Sequence, residues 1–194
     1  MTYDVLAESV ALIEAGRAEP VPRLSRRRRF AAMAVDVAGD VAVTMFARRG
    51  VGRMWQETHV LGLRDGEWTW LGSDGSDGDQ DLLADRPAVL PGSLGLGSEA
   101  VQRADPRVMV VSGSGGVLDD GAGTGRGPQS ERWINHAALR VTAEVTSVQV
   151  AERLLVVPWH GHVLVVWSGR QPPRVVALDD GGKSRAEIQL ASTR

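Results

Sequence analysis

A chain of 194 residues, 43% hydrophobic and 24% charged, has the make-up of an ordinary globular protein, long enough for one good-sized core or two small domains. Its formal net charge of -2 supplies no overall field to favour nucleic acid, an anionic membrane or an acidic substrate. The absence of cysteine removes disulfides, thiolate nucleophiles and every Cys-containing metal site.

Residues 3–15 have the spacing of an amphipathic helix, with Val5, Leu6, Ser9, Leu12 and Ile13 on one face, Thr2 or Asp4 as N-cap and Gly16 as the stop. The start shows no basic region followed by an apolar run, and nowhere do eighteen apolar residues run together. No secretory signal, membrane span or membrane partner is therefore expected, and the default location is the cytoplasm. Pro20 and Pro22 push the chain into extended geometry. Arg26–Arg29 follow as an unbroken basic run. Such a run can grip phosphate, but only Phe30 flanks it and no further basic stripe is visible along the chain. It is expected to be a solvated connection, with no nucleic-acid partner.

From residue 32 onward the pattern becomes β. Two apolar runs, 34–37 and 41–46, surround a turn at Ala38-Gly39-Asp40, and runs 58–64 and 67–71 flank Asp65-Gly66, whose turn type needs positive φ at both central residues. Residues 73–81 are expected to form a polar acidic loop, and 82–97, broken by prolines and glycine, an irregular crossing. A short strand is predicted at 107–111. Segment 112–128, rich in glycine and poor in apolar mass, is expected to be a mobile loop.

Beyond it, 133–138 and 139–150 suit strands, with a slip in alternation at Ser147-Val148. The run Leu154–Trp167 is the most hydrophobic part of the chain. Its β-branched arms flank His160-Gly161 and predict a buried hairpin. A last hairpin is expected from 174–178 and 184–190 around Asp179-Asp180-Gly181-Gly182. These elements predict a mainly β protein, an antiparallel sandwich or open barrel of about nine or ten strands with one N-terminal helix. The C-terminal third has the strand spacing of an immunoglobulin-like sandwich. The chain is taken as one β-rich domain, 1–194, whose candidate division falls at 112–128, between halves 1–111 and 129–194.

His160 and His162 would point to one side of an extended strand and could share a metal ion, with His136, Glu131 or Asp119 completing the set. Asp77, Asp79 and Asp81 alternate as calcium-binding loops do, but Leu82 stands where the turn glycine belongs and Ala88 where a bidentate glutamate belongs. Trp68 and Trp70 share a strand face and could stack on a sugar ring, although core packing is the commoner use of such residues. The glycine-rich stretch matches neither the dinucleotide fingerprint nor a P-loop. No catalytic set and no cofactor emerge. The sequence favours a non-catalytic β-rich binding or protein-interaction module, partnered by another protein or by a second copy through exposed strand edges. The alternatives are a metal-binding protein or metal-dependent enzyme centred on His160 and His162, and carbohydrate binding through Trp68 and Trp70.

Overall fold

A computed structural model describes residues 3–90, 105, 107–120 and 132–191. The chain begins with helix α1 (Val5–Ala15), capped by Asp4, whose Oδ1 accepts from the Ala7 N–H at 3.2 Å, and ended by Gly16 in the left-handed conformation. Four strands follow as a meander, β1 (Phe30–Ala38), β2 (Val41–Arg49), β3 (Met54–Arg64) and β4 (Glu67–Gly78), forming a first sheet of order β1-β2-β3-β4. The Asp65-Gly66 turn has φ of 51° and 87°, as its sequence requires. Burial along β2 is continuous from Val41 to Ala47 because both faces are covered. Val41, Val43, Met45 and Ala47 face the rest of the molecule. On the opposite face Thr44 Oγ1 lies 2.9 Å from Ser9 Oγ of α1, and Phe46 meets the Tyr3 and His59 rings.

Strands β5 (Met109–Asp119), β6 (Arg132–Val141) and β9 (His162–Ser168) make a central sheet of order β5-β6-β9. The last sheet has order β11-β10-β7-β8, from β7 (Ser147–Val150), β8 (Arg153–Val156), β10 (Arg174–Leu178) and β11 (Ser184–Gln189). All described pairings are antiparallel, and the sheets do not close into a barrel. Alternation on the central sheet separates two cores. Ala137, Leu139, Val141, Val163, Val165 and Trp167 pack with the last sheet, while Ile134, Ala138, Leu164 and Val166 pack with the first. A strand buried on both faces has no polar side to present. That is why 163–167 is so uniformly hydrophobic.

Three expectations are corrected. The run 154–167 is not a hairpin: its first arm, β8, pairs with β7 in the last sheet, and its second, β9, pairs with β6 in the central sheet. The chain changes sheets between them at Pro158–Gly161, where the Gly161 N–H donates to the Pro158 carbonyl at 2.9 Å. Gly161 has φ 76°, and a Cβ there would lie 2.5 Å from the Val141 carbonyl oxygen, so both conformation and space demand glycine. Residues 73–78 are not loop but the second half of β4. Residues 112–119 are not loop either. They form most of β5, laddered to β6 from Met109↔Val141 to Asp119↔Arg132, and the remainder of 112–128, from 121, lies outside the described residues. The C-terminal third, with its immunoglobulin-like spacing, is divided between the central and last sheets.

The first and central sheets also meet edge to edge, β1 beside β9, without a backbone ladder. Side chains supply the missing bonds. Asp36 Oδ2 accepts from the Val166 N–H at 2.8 Å, while its Oδ1 accepts from Arg153. Arg153 also donates to the carbonyls of Val37 and Val166 at 3.2 and 3.0 Å.

Candidate functional site

The layer between the first and central sheets is apolar around Val60, Ile134, Leu164 and Val166 but turns polar towards β4 and β5. Two adjoining cavities open there, of about 310 and 460 Å³, sharing Gln56, Ser76 and Ser112 in their walls. The smaller reaches Thr58, Asp74 and His136; the larger reaches Met54, Asp79, Arg140 and His162. Together they are the size of a small-molecule site. Glycines and serines of β4 and β5 make up much of their walls. A Cβ on Gly115 would stand 2.6 Å from His136 Cε1 and 3.5 Å from an Asp74 carboxylate oxygen.

The inner residues are charged or titratable. His136, Ala138 and Arg140 follow one another on the cleft face of β6, and His162 lies opposite Arg140 in the ladder. Arg140 donates to His162 Nε2, so the His162 proton sits on Nδ1. Arg140 Nε, His136 Nδ1 and His162 Nδ1 are all buried without a hydrogen-bond partner. Among the described residues no carboxylate lies within ion-pair distance of Arg140. A second arginine, Arg86, donates to the Val145 carbonyl and lies close enough to His160 to disfavour its protonation. Burial lowers the pKa of His136, against the opposing pull of Asp74. Burial also holds His162 well below the usual histidine range, helped by Arg140 and His160.

His160 and His162 have ring centroids 5.3 Å apart, but their nitrogens are engaged. His160 Nδ1 accepts from the His162 backbone N–H at 3.0 Å, which puts the His160 proton on Nε2, where it is donated to the Met33 carbonyl at 3.1 Å. With Arg140 donating to His162 Nε2, neither imidazole turns a free lone pair to a common point. His136 lies four ladder positions away along β6, roughly 13 Å at strand spacing. Asp119 is held by Arg64 and Arg132, and Glu131 lies outside the described residues. Among the described residues no group of three or more His, Asp or Glu is placed to hold a metal ion.

Asp77 pairs with Arg53 at 2.5 Å, Asp81 accepts from the Leu83 N–H at 3.0 Å, and Asp79 stands in the wall of the larger cavity. Trp68 is half-buried and Trp70 exposed, its ring 5.0 Å from that of His59 on the helix-covered side of the first sheet. The structure thus brings His136, His162 and Asp79 to one cleft and leaves the tryptophans elsewhere. Sequence reasoning missed Arg140. The usable signal for Arg140 was its place on one strand face with His136. Comparison with family models, curated proteins and solved structures gives no match.

Proposed function

We propose that the protein is a non-catalytic binding module whose ligand is a small organic anion, seated in the cleft between the first and central sheets. The observation that carries this is Arg140, a part-buried guanidinium with no carboxylate partner among the described residues, set beside the neutral His162. A desolvated charge without a counterion is costly, and a ligand carboxylate or phosphate would satisfy its remaining donors. The orphaned His136 and His162 nitrogens add donors along the same wall. A thermal-unfolding screen of carboxylates and phosphates tests the idea. An anion at about a hundred times its Kd adds about 2.7 kcal/mol, a midpoint rise of roughly 5 to 10 °C at this chain length. Arg140→Met should abolish that rise while leaving the unliganded protein as stable as before or more so. No response to any anion, or a response that survives Arg140→Met, would refute this assignment.

A second role, protein interaction, is favoured by β8. It is the outer strand of the last sheet, with Leu154 and Val156 62% and 80% exposed beside an apolar groove of about 630 Å³. Such an edge invites pairing with a further strand. Light scattering should then show self-association, or a partner's binding, that Val156→Lys removes. A concentration-independent monomer that also captures no partner would count against it.

A further inference from the structure

The arginine run is not isolated in three dimensions. The chain enters β1 directly after Arg29, whose carbonyl accepts from the Arg49 N–H at 2.7 Å, and Phe30 pairs with Arg48 at the end of β2. That fold-back sets Arg48, Arg49 and Arg53 of the β2–β3 hairpin beside Arg26–Arg29, seven arginines at one end of the first sheet. Glu57 pairs with Arg48 and Asp77 with Arg53. The other five have no carboxylate partner among the described residues, and all five are exposed. Trp55 lies opposite Arg48 in the ladder, 37% exposed, with the Arg48 guanidinium 5.7 Å from its ring centre. The run and Trp55 line a groove of about 1230 Å³ on the helix-covered side of the first sheet, with Glu8, Glu57 and, where it nears the anion cleft, Asp74 also in its wall.

We propose that this groove binds single-stranded nucleic acid, its phosphates on the arginines and a base on Trp55. Guanidiniums along a channel with an aromatic platform are the pattern by which single strands are held without sequence preference. A concave groove accepts one extended chain, whereas a bilayer needs a flat or protruding face, and the nearby exposed apolar residue Val51 offers little to insert. The net charge of -2 conceals this local concentration, which acts within about a Debye length of 8 to 10 Å.

The test is fluorescence anisotropy of labelled oligothymidylate of about 20 nucleotides, titrated with the full chain over a range of salt concentrations. Binding should weaken steeply with salt. Replacing the run by Arg26→Gln, Arg27→Gln, Arg28→Gln and Arg29→Gln together should flatten the log–log slope by roughly 3, since each phosphate contact contributes about 0.7 for single strands. Trp55→Ala should weaken binding about tenfold with the slope unchanged, and Trp55→Phe should restore most of it. The exposed arginines make no ion pairs with the described residues, so the quadruple variant should keep the parent's thermal midpoint. Absence of binding at low salt, equal binding by the quadruple variant, equal binding of a duplex, or binding only to phosphatidylserine vesicles would each overturn the proposal.

Discussion

Asp36→Ala is expected to cost about 3 to 5 kcal/mol of stability and to lower the thermal midpoint by roughly 10 °C or more. Asp36 is 3% exposed and joins β1, β9 and Arg153 at a seam that has no backbone ladder. Removing it leaves the Val166 N–H without an acceptor and the Arg153 charge without its partner. Each of those is a buried group deprived of its bond, the situation that makes such changes expensive. Burial disfavours the charged carboxylate and raises the Asp36 pKa, against the lowering pull of Arg153 and of the Val166 N–H. Asp36→Asn should therefore cost less, because its side-chain oxygen can still accept from Val166. Arg153→Met should approach the Asp36→Ala loss, and the double variant should lose clearly less than the sum of the two. Urea unfolding of the four proteins measures all of this. Strictly additive losses would show that the two side chains act independently and that the seam is held by packing alone.

Elements closed by local chemistry could be read from the sequence. Asp4 and Gly16 bound α1, Asp65-Gly66 makes the β3–β4 turn, and the last hairpin forms where its turn residues stand. The failures share one physical cause, which is that long-range partners override local cues. The arms of 154–167 look alike in composition, and nothing in them says that one belongs to the last sheet and the other to the central sheet. Glycine and serine at 73–78 and 112–119 argue for loops on entropy, yet these residues are laddered strands. The same misreading hid the candidate site, because these two strands are the walls of the cleft. The arginine run was visible, but the basic and aromatic residues that join it arrive from the β2–β3 hairpin only when the sheet forms.

Acid should destabilise the protein through its histidines as the pH falls below about 6.5. All four histidines are buried, His59 and His136 at 4% exposure, His162 at 3% and His160 at 0%, and burial lowers the pKa of each, to about 4 at His160. Above about pH 6.5 folded and unfolded imidazoles are both neutral, and the full stability is present. As the pH falls below that value the unfolded chain takes up protons that the folded chain refuses, so stability declines until the folded pKa is reached. The gap between 6.5 and about 4 at His160 alone corresponds to about 3 kcal/mol, and the other three histidines act in the same direction. Asp36, with its raised pKa, acts in the opposite direction. Urea midpoints from about pH 8 to about pH 4.5 should fall steeply, and His160→Gln should give a lower but flatter profile. A flat profile for the parent protein would mean that these imidazoles protonate freely and are not desolvated. The same linkage bears on the cleft, because an anion on Arg140 would favour a proton on the adjoining His162. Stabilisation by a bound anion should therefore grow as the pH falls, the opposite of the trend in the free protein.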